Sequence, residues 1–201
     1  MYDLTMLLAQ KIYTKTGRHI VFEDSKKVFN LGCGNQRYPG IIGVDALSGS
    51  AADIVQDLNI FPWPIAESSA DVVLCFQTLE HLESLPRVME EMYRICKNGA
   101  RIIIEVPYFR STGAFQDPTH KHFFTTKTMD YFCINRSRDT FGYSKASFLL
   151  KDFWIGWPAS NSIAMRYFKK FIKKYHNFYD KYLSLLLPAP ILVFELEAKK
   201  D

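Results

Sequence analysis

Val28-Phe29-Asn30-Leu31-Gly32-Cys33-Gly34-Asn35, followed by Ile41-Ile42-Gly43-Val44-Asp45, decides the fold class of this chain. A short apolar run ends in a glycine-rich turn, and a second apolar run ends in a carboxylate. Short runs that stay apolar throughout read as strands buried on both faces of a sheet. In an open α/β sheet, ligands bind beyond the carboxyl ends of the strands, where the strand order reverses. Glycines there let the backbone turn sharply and approach a ligand closely. A carboxylate closing the next strand can accept both hydrogen bonds of a ribose diol. The two segments together imply a nucleoside-containing ligand.

The dinucleotide fingerprint asks for G-x-G-x-x-G and an acid roughly 20 residues further on. Here the third glycine position is Arg37, and Asp45 follows too soon. A phosphate-binding P-loop needs Gly-Lys-Ser/Thr, which is absent. The turn is therefore not built for a pyrophosphate. A lone Gly-x-Gly also fits a plain strand-to-turn junction, so the neighbouring segments carry the argument further.

Working outward, Ala52-Asp53-Ile54-Val55-Gln56-Asp57-Leu58 is another short strand closed by a carboxylate. Asp71-Val72-Val73-Leu74-Cys75 is a fourth, leading into Phe76-Gln77-Thr78-Leu79-Glu80-His81-Leu82. The strings LGCGN, GVDAL, QDLNIFPWP, SADVVLCFQTLEHL and RICKNGARIIIEVP, in this order, resemble the class I S-adenosylmethionine-dependent methyltransferases of the small type 11 kind. The resemblance covers roughly residues 27–107. It implies an α/β, Rossmann-like, seven-stranded and mostly parallel sheet with an antiparallel last strand, and S-adenosyl-L-methionine as cofactor. It also implies that Gly32, Cys33 and Gly34 pass under the methionine part of the cofactor. Asp45 stands where the family's acid holds the ribose hydroxyls. Asp57 and the Leu58 backbone stand at the adenine. Phe76 and Gln77 stand where the methionine and sulfonium region is lined. Without the resemblance, Asp57 reads as a solvated strand end and Phe76 as a core aromatic.

One departure is legible. Only Gln36-Arg37-Tyr38-Pro39-Gly40 separates the turn from Ile41. A parallel pair usually needs a dozen or more connecting residues, and Pro39 and Gly40 are poor helix formers. The helix after the first strand is expected to be short or missing, with Asn35 or Arg37 helping at the cofactor's carboxylate end and the N-terminal segment filling the gap.

The 201 residues read as a single domain, with ample length for a core. Strands are expected at 27–31, 41–45, 53–56, 71–75 and 100–106, with a sixth at Ser147–Trp157 and a seventh at Ile191–Ala198. Leu85, Val88, Met89, Met92 and Ile95 make one face of a helix from Ser84 to Cys96, stopped by Lys97-Asn98-Gly99. Leu4, Leu7, Leu8 and Ile12 repeat at helical spacing, so residues 1–17 are expected to form an N-terminal helix. Residues 107–145 hold proline, glycine and many aromatics, and read as an ordered lid. A basic amphipathic helix is expected over 162–187. Its apolar stripe is Ile163, Tyr167, Phe168, Phe171, Ile172 and Tyr175, and Arg166, Lys169, Lys170, Lys173 and Lys174 make its basic face. Such a helix can rest on an anionic membrane at 163–175. The favoured reading packs the stripe on the sheet and leaves the lysines solvated.

Four scattered cysteines without a C-x-x-C pair read as free thiols of a reducing cytoplasm. Met1–Tyr13 lacks the build of a signal peptide, and Leu183–Phe194 is too short and proline-broken for a membrane span. The net charge of +4 is only mildly basic. The Asn/Asp-Pro-Pro-aromatic signature of base-amine methylation is absent where Cys75-Phe76-Gln77-Thr78 stands, so nucleic acid is disfavoured. RNA methylation of other kinds and a non-catalytic cofactor-binding module remain as alternatives to a small-molecule or saccharide acceptor. For a proton acceptor, His81 follows the fourth strand, and His120 lies in Asp117-Pro118-Thr119-His120-Lys121-His122. The latter string resembles methyltransferases associated with bacterial cell-surface polysaccharide genes. Asp117, His120 and His122 are metal-ligand types, but histidines two apart in a loop are common without metal, and none is expected. His120 is the preferred base, with His81 either a second one or a cap of the following segment.

Overall fold

The computed structural model describes residues 9–13, 19–23, 25–156 and 163–200. Two strands precede the glycine turn. β1 (Ala9–Tyr13) and β2 (His19–Glu23) pair antiparallel, with Ala9 opposite Glu23 and Tyr13 opposite His19. The main sheet comprises β3 (Val28–Leu31), β4 (Ile41–Asp45), β5 (Ile54–Val55), β6 (Ala70–Phe76), β7 (Cys96–Pro107), β8 (Phe148–Gly156) and β9 (Ile191–Ala198). Its seven strands lie in the order β5-β4-β3-β6-β7-β9-β8. β3 to β7 run parallel. β9 inserts between β7 and β8, antiparallel to both. This is the mostly parallel Rossmann-like sheet with an antiparallel last strand. Its order reverses between β3 and β6, which is where such sheets bind ligands.

One face of the sheet is covered as expected. α1 (Leu85–Ile95) presents Leu85, Val88, Met89, Met92 and Ile95, all buried, against Val73, Cys75, Ile102 and Ile104. Each such side chain contributes about 1.5–3 kcal/mol of burial. The helix ends at Ile95 and the chain enters β7 at once, so Lys97-Asn98-Gly99 belongs to the strand rather than to a loop. The lid follows β7. It contains α2 (Thr112–Gln116), a 3-10 turn at Thr128–Phe132 and α3 (Ser137–Phe141). Tyr108, Phe124, Met129 and Phe132 are buried in the same core.

The other face is covered differently. Residues 32–40 contain no helix, and backbone bonds close the connection: Gly32 N–H and Cys33 N–H donate to Val44 O at 2.8 and 3.1 Å. The β1–β2 hairpin takes the crossover helix's place. Its Ile20 and Phe22, 2% and 6% exposed, pack on Val28, Ile41, Val72, Leu74, Ile103 and Val193. Arg101 ties the hairpin down by donating to Val21 O at 3.0 Å while bonding Glu195 at 3.0 Å.

Two expected elements are corrected. The N-terminal helix over 1–17 is overturned by β1, which contains Ile12; residues 1–8 and 14–17 lie outside the described residues. Pairing with β2, whose alternate residues face the core, outweighs the helical spacing of a few leucines. The single helix over 162–187 is broken. α4 (Ile163–Lys174) ends before Tyr175, α5 (His176–Lys181) follows, and a 3-10 turn spans Leu183–Leu185. Residue 162 lies outside the described residues. α5 is held to the lid by Asp180, which accepts from Tyr108 Oη at 2.7 Å and from Thr126 Oγ1 at 2.6 Å. The apolar stripe also divides. Phe168 and Ile172 turn to the core, whereas Tyr167, Phe171 and Tyr175 are exposed.

Candidate functional site

The carboxyl ends of β5, β4, β3 and β6 form one edge, and the residues singled out in the sequence lie along it. Gly32 follows β3 with φ +70°, and a Cβ on it would lie 2.1 Å from Thr78 Oγ1. Thr78 in turn sits 3.3 Å from Leu31 O and 3.0 Å from Phe76 O, stitching the ends of β3 and β6 together. Gly34 has φ +51°, and a Cβ there would meet nothing within 4 Å, so this side of the turn is open.

Asp45 closes β4. Its Oδ2 accepts from Gly34 N–H at 2.8 Å and its Oδ1 from Leu47 N–H at 3.0 Å. Each carboxylate oxygen keeps further acceptor capacity, so Asp45 both shapes the turn and offers acceptors at its edge. Asp53 was not singled out by sequence, yet it braces the same region. It accepts from Gly43 N–H at 2.8 Å and pairs with Arg37 at 3.2 Å. Asp57 Oδ1 accepts from Asn59 N–H and Nδ2 at 2.8 and 3.1 Å. Leu58 is buried beneath, its carbonyl accepting from Trp63 Nε1 at 3.2 Å. Cys33 is 3% exposed, and burial, then the Asp45 charge, pushes its thiol up. A thiol so raised is a poor nucleophile.

Phe76 and Gln77 part company. The Phe76 ring packs toward the hairpin-side cluster, close to its plain reading as a core aromatic. Gln77 takes φ +51° and donates its N–H to Glu105 O at 2.7 Å. Its side-chain Nε2 is buried with no hydrogen-bond partner.

Beside Gln77 opens a cleft of about 450 Å³, lined also by Glu80, His81, Gln116, Asp117 and His120. The lid is strapped across it. Lys121 N–H and His122 N–H donate to Glu80 O at 2.7 and 3.3 Å, and Lys121 pairs with Glu83. His81 and His120, distant in sequence, meet edge to face with ring centroids 4.7 Å apart. His120 Nδ1 lies 3.0 Å from Ala114 O, and His81 Nδ1 lies 2.8 Å from Thr119 Oγ1. Desolvation, then the proximity of His120, holds His81 below the ordinary histidine value. His122 is not part of this group; its Nε2 sits 2.8 Å from Leu82 O. One ligand-type atom from each of Glu80, His81 and His120 lies within 4.8 Å of the others. The set weighed from sequence, Asp117 with His120 and His122, is thus not the set the fold gathers. Glu80 had no signal of its own beyond adjacency to His81.

The arrangement of open turn, acidic strand ends and cleft fits a nucleoside-bearing cofactor with an acceptor beside it. Among solved structures the chain is similar to an S-adenosylmethionine-dependent methyltransferase from Mesorhizobium loti, at 12% identity over 86% of this chain and 90% of that one, with a TM-score of 0.51. It is also similar to such a methyltransferase from Archaeoglobus fulgidus, at 19% identity over 86% of each chain, with a TM-score of 0.51. A third similar structure is the complex of the Haloferax volcanii Trm112 methyltransferase activator with a methyltransferase, at 14% identity, 87% and 83% coverage and a TM-score of 0.54. No curated protein sequence matches the chain. Residues 30–104, from within β3 to within β7, match the type 11 family model described as a methyltransferase domain. The stretch 30–104 is thus a methyltransferase domain of this family, and the fold around it is that of the class I S-adenosylmethionine-dependent methyltransferases.

Proposed function

We propose that the chain methylates a hydroxyl or amine of a small-molecule or saccharide acceptor held in the cleft between Gln77 and the lid. The observation that carries this reading is the facing pair His81 and His120 at the carboxyl edge of β6. When bound, S-adenosylmethionine supplies an electrophilic methyl on a sulfonium, whose displacement leaves a neutral thioether. Gly32–Gly34 and Asp45 hold its methionine and ribose parts, and Asp57 with Leu58 its adenine. The open side of Gly34 and the unpartnered Gln77 Nε2 support that fit. The protein's task is alignment of acceptor, methyl and sulfur. The acceptor's lone pair forms the new bond as the carbon–sulfur bond breaks with its electrons kept on sulfur. The acceptor's proton passes to the imidazole pair, with His120 Nε2 as the receiving atom. Ala114 O can only accept, so His120 Nδ1 carries the hydrogen and Nε2 the lone pair.

The partner surface extends the reading. Tyr167, Phe171, Tyr175, Phe178 and Tyr182 are 41–68% exposed along α4 and α5, beside Lys170, Lys174 and Lys181. An aromatic stripe flanked by lysines suits an anionic lipid surface. The protein would rest there rather than span, since no described helix is long and apolar enough to cross a membrane. The four free, buried cysteines are in keeping with a reducing cytoplasm.

Calorimetry with S-adenosylmethionine tests the cofactor assignment. Asp45→Ala should weaken binding at least about tenfold, the loss of a charge-assisted hydrogen bond worth roughly 1.5–3 kcal/mol. His120→Ala should bind the cofactor like wild type but turn over about 100-fold more slowly, within the range of general-base effects. Equal cofactor binding by wild type and Asp45→Ala would overturn the assignment.

A further inference from the structure

We propose that Glu80, His81 and His120 form a binding site for a divalent transition-metal cation at the floor of the acceptor cleft. The inference rests on reading that cleft as the acceptor site. One ligand-type atom from each residue lies within 4.8 Å of the others, a spacing that one ion can bridge. The three come from two segments: Glu80 and His81 from the turn after β6, and His120 from the lid.

The hydrogen bonds around the imidazoles carry the argument. A metal-bound histidine uses its second ring nitrogen to donate to a carbonyl, hydroxyl or carboxylate neighbour, which fixes ring and tautomer. His120 Nδ1 faces Ala114 O at 3.0 Å, so it is the protonated nitrogen and Nε2 bears the lone pair. Thr119 Oγ1 donates its own hydrogen to Asp117 Oδ1 at 2.6 Å, and so accepts from His81 Nδ1–H at 2.8 Å. His81 Nε2 is thereby also left as a lone-pair nitrogen. Asp117–Thr119–His81 is the carboxylate-backed arrangement that orients a ligand, with one hydroxyl interposed. Two imidazoles facing each other beside a carboxylate form a good ligand set.

Two imidazoles with one carboxylate, and room for further ligands, is the donor set of open transition-metal sites. Imidazole nitrogen disfavours Mg²⁺ and Ca²⁺, which take oxygen donors. Gln77 lines the same cleft. A cation held here would leave positions for the acceptor. A coordinated hydroxyl loses its proton more readily, as metal-bound water does. The proton then leaves to water at the cleft mouth, the alkoxide takes the methyl, and the carbon–sulfur electrons remain on sulfur. With a cation bound, both Nε2 lone pairs are donated to it and the acceptor's proton leaves by this metal-assisted route; without one, His120 takes the proton as proposed above.

The test is calorimetry of the chelator-stripped full chain with Co²⁺, with Mg²⁺ as comparison, without cofactor or acceptor. The buried cysteines do not compete for the probe. One Co²⁺ per chain should bind, and Mg²⁺ should bind at least tenfold more weakly. His81→Ala and His120→Ala should each lose about 100-fold or more. Thr119→Val, which removes only the positioning hydroxyl, should lose about 10-fold or more. His122→Ala should bind Co²⁺ like wild type. Because Glu80 is buried and its replacement risks the fold, the exposed-side variants carry the test. Absence of Co²⁺ binding, or equal binding by wild type, His81→Ala and His120→Ala, would overturn the proposal. Cofactor calorimetry on the same stripped chain separates the two readings. Intact S-adenosylmethionine binding without Co²⁺ binding removes the metal site and leaves the methyltransferase reading standing.

Discussion

At Gly32 two constraints coincide. Its φ of +70° is a conformation that costs an alanine about 1–2 kcal/mol. A Cβ would also lie 2.1, 2.5 and 2.8 Å from Thr78 Oγ1, Cγ2 and Cβ. Overpacking of this kind costs about 1–3 kcal/mol more. Gly32→Ala should therefore lower stability by about 3 kcal/mol in urea unfolding and push the ends of β3 and β6 apart, with loss of cofactor affinity. Adding Thr78→Ala should restore part of that stability, since two of the three close atoms go. A Gly32→Ala protein as stable as wild type would refute the close approach. The glycine was readable as a turn from its neighbours alone. That Thr78 is what crowds it was not, because Thr78 arrives from another strand. Asp45 shows the same division. Its place at a strand end was legible, while its bond to Gly34 N–H depends on the turn folding back over it.

Among the elements, the strands and α1 were legible because their patterns are local. α1 buries the five residues its spacing picked out. The missing crossover helix was legible too, from the length of the link. The N-terminal segment was among the expected fillers of that gap, but its form as a strand pair was not legible. Ile12 and its neighbours have helical spacing, but the partner strand His19–Glu23 recruits residues 9–13 into a hairpin. Phe22 is the main plug of that face, at 6% exposure. Phe22→Ala should cost about 3–5 kcal/mol, the usual range for truncating a buried phenylalanine. A shift in denaturant midpoint with an unchanged m-value is the expected reading. A wild-type midpoint would mean that the hairpin is not part of the cooperative core.

For the whole molecule, the question is which surfaces meet partners. The α4–α5 stripe was expected to pack on the sheet. The structure divides it, turning Phe168 and Ile172 to the core while leaving Tyr167, Phe171 and Tyr175 outside, where Phe178 and Tyr182 of the following segment are exposed as well. Lys170, Lys174 and Lys181 each lie over one of those rings, at 6.0, 5.3 and 5.2 Å from Tyr167, Tyr175 and Tyr182. Each lysine near an anionic surface contributes about 1 kcal/mol. The triple change of these lysines to glutamine should thus weaken sedimentation with phosphatidylserine vesicles by about 100-fold. Neutral phosphatidylcholine vesicles should bind weakly in either case. Absence of wild-type binding to the anionic vesicles, or no loss in the variant, would remove this surface from the account.

The amino-acid sequence by itself determined the glycine turn, the acidic strand ends, the buried face of α1 and the lack of room for a first crossover helix. These are properties of short stretches, set by backbone freedom, side-chain period and link length. Only the tertiary structure decided that the N-terminal segment covers the second face as a strand pair, that half of the α4–α5 stripe stays outside, and that Glu80, His81 and His120 converge. Each of those outcomes depends on which distant segment arrives against a residue. Burial against such a partner outweighs the weak local preference, and no period within a single segment encodes it.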